Sequence, residues 1–174
     1  MDEPPEAPFD PRQILLALAD HDVDFVVVGG VAVQAHGHGR GTRDLDVIPR
    51  PDLLNLSRLG ESLGALGARL LGGDRPVDVT NPQVLTRAPL VPLITAYGRL
   101  DLLNLRLAQG APSTYDDLRT RAFEAQIDGR TIAVAGLDDL IRMKRAAGRA
   151  VDLEDIGALT RDDEQLEREV REST

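Results

Sequence analysis

The chain has 174 residues, room for one domain with a real core and hardly for two. Hydrophobic residues make up 42% and charged residues 28%, and no run approaches the roughly 20 consecutive apolar residues of a membrane span. Zero cysteines exclude disulfides, thiolate zinc sites and cysteine nucleophiles, and a net charge of −9, taken as an average, argues against a phosphate-rich partner.

Residues 1–9 read as a disordered leader, acidic and proline-rich, the opposite of a signal peptide, and the expected location is the cytoplasm. From Pro11 an amphipathic helix puts Ile14, Leu15 and Leu18 on one face and ends near His21-Asp22. Phe25-Val26-Val27-Val28 is a buried strand, broken by Gly29-Gly30 before a short helix over Val31–Ala35. Gly37-His38-Gly39-Arg40-Gly41 is a flexible loop, and Leu45–Ile48 a second strand stopped by Pro49 and Pro51. Asp52 caps a leucine-rich helix through Leu66. Ala68–Leu71 and Pro76–Thr80 are candidate strands, residues 81–98 are irregular, and Leu100–Asn104 is a strand. Ser113 is placed as the cap of a helix to Arg121. Phe123–Ile127 and Thr131–Val134 flank Asp128-Gly129, the signature of a hairpin with a type I′ turn. A helix over Leu137–Ala147 ends at Gly148, and Asp152 starts a last helix whose charged end, Asp162–Glu172, is expected to fray. The expected organisation is one domain over 10–161, with 162–174 a charged helix end or tail.

The charge is unevenly spread. Residues 1–35 carry seven acids and one base, 36–149 thirteen acids and sixteen bases, and 150–174 nine acids and three bases. The middle is mildly basic between two acidic ends. Nineteen of the twenty basic residues are Arg, and the one Lys is Lys144.

The informative stretch is Val28-Gly29-Gly30-Val31-Ala32, followed by Arg40-x-Thr42-x-Asp44-Leu45-Asp46-Val47. Side chains at i and i+2 on a strand share a face, so Asp44 and Asp46 are paired carboxylates. Charges that close repel unless a cation sits between them, and Mg²⁺ prefers a few carboxylates plus substrate phosphates. The glycines let a backbone approach phosphate closely where a helix begins. The plain alternative is a tight turn with Asp44 and Asp46 solvated or paired with Arg40 and Arg43. The ordered combination between two apolar strands favours phosphoryl-transfer chemistry.

These residues resemble the nucleotidyltransferase superfamily that includes DNA polymerase beta, whose signature is a strand, Gly-Gly or Gly-Ser, then a strand with two acids one residue apart. The Arg40-x-Thr42-x-Asp44-x-Asp46 variant resembles the branch of AbiE-type and MenT-type toxins, over roughly residues 10–160. The resemblance implies a mixed α/β fold (α+β), a small mixed sheet flanked by helices with a C-terminal helical segment. It implies that Gly29 and Gly30 hold a nucleoside triphosphate, together with Arg40 and Thr42, and that Asp44 and Asp46 hold two Mg²⁺ ions.

Two-metal transfer usually uses a third acid on a neighbouring strand. Asp101, within Arg99-Leu100-Asp101-Leu102-Leu103, is similar to the segment bearing it in this branch; Asp78 is the second choice, more simply a strand-end acid in solvent or paired with Arg75. Leu137, Leu140 and Ile141 define an apolar stripe whose next member is Lys144, so this lysine turns inward. It snorkels at the core rim, pairs within the helix with Asp139 or Leu140's neighbours, or reaches a cleft to coordinate phosphate. Lys144-x-x-x-Gly148-Arg149-x-x-Asp152-x-x-Asp155 is similar to a second signature of the branch, which puts Lys144 and Asp152 in the active site. Asp152 reads equally as a helix cap, with Asp155 completing an approximate capping box. Arg149 either pairs with Asp152 or faces the phosphate.

His36 and His38 lack a third ligand nearby, Ser57, Ser62 and Ser113 lack a base, and five aromatics give no stacking platform for nucleic acid. The resemblance therefore implies an Mg²⁺-dependent transfer of a nucleoside monophosphate to a hydroxyl. The expected acceptor is the 3′ end of tRNA, with an antitoxin protein as partner. An antibiotic acceptor and a weakly active nucleotide-binding regulator are the alternatives.

Overall fold

The computed structural model describes residues 8–73, 75–78 and 81–172. Pro11–Asp20 forms α1, Phe25–Val28 β1, Gly29–Ala35 α2, Asp44–Pro49 β2, Leu53–Ala65 α3 and Arg69–Leu70 β3. After a 3₁₀ turn over Pro82–Thr86 come β4 (Leu90–Thr95), β5 (Gly98–Leu103), α4 (Tyr115–Arg121), β6 (Phe123–Ile127) and β7 (Arg130–Val134). Two helices close the fold, α5 (Leu137–Ala147) and α6 (Ala150–Glu172). The strands form one mixed sheet in the order β3-β4-β5-β2-β1-β7-β6. In it β1 runs antiparallel to β2 and parallel to β7, and β2 runs parallel to β5. No described helix is long and apolar enough to cross a membrane.

Strand alternation divides the core between the two faces. Val27, Leu45, Val47, Leu100 and Leu102 pack with Ile14, Leu18, Leu59 and Leu63 of α1 and α3 in the larger cluster. Val26, Val28, Ile48 and Ala133 pack with Tyr115 and Leu118 of α4 in a smaller one. Asp44 and Asp46 stand on this second face, in step with Ile48, where helical cover gives out.

Local chemistry sets the element ends. Asp10 and Asp52 cap α1 and α3, accepting from the backbone N–H of Gln13 and Asn55 at 3.3 and 2.9 Å. Asp128 and Gly129 have φ of 49° and 76°, the type I′ geometry expected of that hairpin. Gly148 takes the left-handed conformation past α5, its N–H donating to Lys144 O.

Several expectations need correction. Residues 81–98 are ordered: β4 pairs along the length of β5, with Pro92 opposite Asp101. Leu71 N–H donates to Pro92 O, so the proline's missing N–H faces short β3 and costs β5 no hydrogen bond. Of the 76–80 strand the described part, 76–78, holds a bridge between Pro76 and Arg69, and residues 79 and 80 lie outside the described residues. The cap of α4 is Thr114, one residue after Ser113; its hydroxyl accepts from Asp117 N–H at 3.1 Å. Phe9, placed in the leader, packs on the core, and Asp10 N–H donates to Tyr97 O at 2.9 Å. Residues 1–7 lie outside the described residues. Asp152 does not start α6, which begins at Ala150, and α6 stays helical to Glu172 instead of fraying, with Glu164–Arg168 and Glu167–Arg171 one turn apart.

Candidate active site

Chain reversal at the end of β1 brings the first site residues together. Gly29 has φ +66°, and a Cβ there would stand 2.0 Å from Asp46 Oδ2. Glycine is needed both for the turn and for the carboxylate lying over its Cα. A Cβ on Gly30 would meet Thr42 Oγ1 at 2.6 Å, so Gly30 admits the loop before β2. Asp46 pairs in register with Asp101 of β5, and Asp44 with Arg99. Three carboxylates and one guanidinium thus occupy adjacent rungs on one face.

These acids differ in what holds them. Thr42 Oγ1 donates to Asp44 Oδ1 at 3.1 Å. Arg99 grips Asp101 with both ends of its fork, Nε to Oδ1 at 2.8 Å and Nη2 to Oδ2 at 2.7 Å. Asp46 is pushed up to about 7 by burial and then by the charges of Asp44 and Asp101, against the pull of Lys144 and Arg149. Burial also raises Asp101, with Arg99 opposing it.

Behind the acids lies a buried ion cluster. Lys144 Nζ pairs with Asp152 Oδ1 at 3.2 Å and Asp155 Oδ2 at 2.8 Å, and all three side chains are nearly inaccessible. Arg149 Nε reaches Asp152 Oδ2 at 2.7 Å, and Arg40 Nε and Nη2 reach Asp155 at 2.5 and 2.9 Å. Three cations meet two carboxylates, leaving one positive charge in excess. Burial pushes Asp152 and Asp155 up, but hydrogen bonds and charge from Arg149, Arg40 and Lys144 outweigh it and hold both below the usual carboxylate range.

A cavity of about 730 Å³ opens between the two groups. Gly30, Arg40, Thr42, Asp44, Asp46, Asp101, Lys144 and Arg149 line it, so most of the sequence-derived candidates converge. Gly29 sits beneath Asp46. Asp152 does not reach the lining; it faces Lys144 and accepts the Arg149 N–H at 3.2 Å, which makes it the third-residue half of a capping box. Asp155 takes no part in that cap. Asp78 is exposed in the segment after β3, outside this lining. His36 bonds to Ala135 O at 2.9 Å and meets Phe123 edge-on, so its ring is a packing element.

Sequence reasoning missed Arg99, the pairing of Asp155 with Arg40 and an apolar wall of Pro89, Leu90, Leu103 and Leu107. The i, i+2 spacing of Arg99 and Asp101 on a strand was a usable signal. Asp155 was visible as the last residue of the 144–155 signature, but its partner Arg40 is distant in sequence and could not be read from it. Arg43 also lines the cavity, exposed and without an ion pair among the described residues.

The repulsion within Asp44 and Asp46 and the raised proton affinity of Asp46 fit a divalent cation. The third acid is less free, since both Asp101 oxygens are engaged by Arg99. Among the described residues no group of three or more His, Asp or Glu side chains is arranged to hold a metal ion, so the fit rests on the pair Asp44 and Asp46.

No protein-family model matches the chain, and no curated protein matches it. Solved structures match it over most of its length. ANT(2'')-Ia in complex with adenylyl-2''-tobramycin is 17% identical, with TM-score 0.58 over 92% of this chain and 91% of that one. The lincosamide antibiotic adenylyltransferase LnuA, lincomycin-bound, is 17% identical, with TM-score 0.57 over 89% and 98%. An antigenic nucleotidyltransferase-like protein from Paracoccidioides brasiliensis is 16% identical, with TM-score 0.56 over 88% and 78%. At such identities the likeness is one of fold: this chain has the mixed α/β fold of nucleotidyltransferases, as its sequence led us to expect.

Proposed function

We propose that the protein is an Mg²⁺-dependent nucleotidyltransferase that moves a nucleoside monophosphate from an NTP to an acceptor hydroxyl. The observation that carries this reading is the carboxylate trio on adjacent rungs, one member raised to about 7, facing a cation cluster across one cavity of a nucleotidyltransferase fold. Asp44 and Asp46, with Asp101, are the ligands for two Mg²⁺ ions, which when bound supply charge neutralisation for the triphosphate and acidify the acceptor hydroxyl. The chain's own residues do the rest. Lys144 has spent two of its three N–H bonds on Asp152 and Asp155 and keeps the third for a phosphate oxygen. Arg149 and Arg40 add to the positive wall, and the Gly29-Gly30 turn lets the triphosphate lie close to the backbone. Asp101 takes the acceptor's proton once Arg99 yields one of its two oxygens. Positioning and charge account for the rate, with no covalent intermediate.

The acceptor we propose is the 3′ end of tRNA, as the activity of a toxin restrained by an antitoxin protein, in line with the AbiE-type and MenT-type pattern. Arg43 offers a cation at the rim, Pro89, Leu90, Leu103 and Leu107 offer apolar contact to a base, and the cavity lining holds no carboxylate beyond the proposed three. A polycationic drug would want acids there. The second reading, transfer to an antibiotic, is favoured by the fold shared with ANT(2'')-Ia and LnuA.

Incubation with Mg²⁺ and each labelled NTP, plus total tRNA or an antibiotic panel, separates these readings. Label entering tRNA with wild type but not with Asp46→Asn supports the first. Label entering an antibiotic instead supports the second. Label in neither acceptor overturns both and leaves a nucleotide-binding regulator.

A further inference from the structure

We infer that Asp155 is a positioning residue: from the early turns of α6 it latches the 36–43 loop through Arg40 and thereby aims the carboxylate of Asp44. The inference rests on the nucleotidyltransferase reading of Asp44 and deepens it.

The loop has little to hold it in place by itself, since three of the five residues Gly37–Gly41 are glycine. Gly37 and His38 donate their backbone N–H to Gln34 O and Val33 O where the loop leaves α2, and past them Arg40 is anchored twice. Its guanidinium fork closes on both oxygens of Asp155, at 2.5 and 2.9 Å, and its carbonyl accepts from Gln34 Nε2 of α2 at 2.5 Å. Two residues on, Thr42 is pressed into the space left by Gly30 and donates from Oγ1 to Asp44 Oδ1 at 3.1 Å and Asp44 O at 3.3 Å. The path is continuous: Asp155 fixes Arg40, Arg40 fixes the loop's height over α2, and Thr42 orients Asp44.

Asp155 is 0% exposed and does not touch the cavity, so it cannot serve a substrate directly. Its carboxylate is shared with Lys144, which ties the aim of Asp44 to the placement of the phosphate-facing ammonium. A carboxylate that merely balanced Lys144 would need no bidentate arginine from a loop on the other side of the site.

Mn²⁺ binding, read by electron paramagnetic resonance, tests this in the full chain with wild type, Asp44→Asn, Arg40→Gln, Arg40→Lys and Asp155→Asn. Outer partners of metal ligands typically contribute about 10- to 100-fold in affinity, so Arg40→Gln and Asp155→Asn should each weaken Mn²⁺ binding about 10-fold or more. Arg40→Lys, which keeps one contact, should recover part of it. Amide exchange at 37–43 should rise in Arg40→Gln more than exchange in β1 and β2, a local pattern that loss of global stability does not produce. If Asp155→Asn fails to fold, Arg40→Gln alone decides. Wild-type Mn²⁺ affinity and loop protection in Arg40→Gln would overturn the latch. Equal Mn²⁺ binding by wild type and Asp44→Asn would instead overturn the reading of Asp44 as a ligand, and the aim of Asp44 with it.

Discussion

The sheet face bearing Asp44, Asp46 and Asp101 and the helix pair bearing Lys144, Asp152 and Asp155 both bury charge, with opposite results. On the sheet, like charges crowd together and burial drives Asp46 up to about 7. Between the helices, opposite charges alternate and the carboxylates end below their usual range despite deeper burial. The difference separates two uses of the same side chain. An acid that resists ionisation is waiting for a cation from outside, whereas one that ionises readily has found its cations within the fold. The first group is suited to bind and react, the second to hold things still.

Substitutions break this comparison in order of expected size. Asp46→Asn should cut label transfer by about 10³-fold or more, as loss of a group acting on transition-state charge does, without lowering the melting temperature. Asp155→Asn should cost about 3–5 kcal/mol in urea unfolding, because it leaves Arg40 and Lys144 short of a buried counter-charge.

The pH dependences should then run in opposite senses. Asp46 has a folded value raised from 3.8 to about 7, so its contribution to stability is full below about 4 and is lost as pH rises to about 7. With chelator present, the stability advantage of Asp46→Asn over wild type should therefore grow between pH 4 and 7 and then level off. Asp155 has a lowered folded value, so its contribution is present above the normal carboxylate range and is lost as pH falls through the folded value. Melting temperatures across pH for wild type and both variants read the two slopes. The smallest effect belongs to Arg43, a cation in neither group. Arg43→Gln should lower the salt dependence of tRNA binding by about one phosphate contact and shift stability by less than about 0.5 kcal/mol.

What the sequence disclosed follows from how far its signals reach. Phe25–Val28, the glycine turn and the alternation around Asp44 and Asp46 are local patterns, and all lie where periodicity puts them. Lys144 was legible as inward because it continues a helical stripe, and it is 4% exposed. The 90–95 strand was hidden by Pro92, whose tolerance depends on facing a two-residue neighbour. Asp152 had two plausible roles at one spacing, and the structure gives it both a cap and a salt bridge to Lys144. Arg40 and Asp155 could not be joined from sequence, because only folding brings the loop before β2 against α6. The division of the −9 net charge bears on the site, since the cavity is lined from the mildly basic middle apart from Gly30 and Val151.

The parallel pairing of β1 with β7 bears on how the protein is made. Val26 and Val27 lie beside Ala133 and Val134, so a central strand lacks one neighbour until more than a hundred further residues have left the ribosome. Lys144, Arg149 and Asp155 follow later still. A nascent chain carrying every proposed metal ligand has neither the cations that temper Asp46 nor the carboxylate that fastens Arg40. The parts that arm the site follow its acids in the chain, and a chain stalled before α5 has none of Lys144, Arg149 and Asp155.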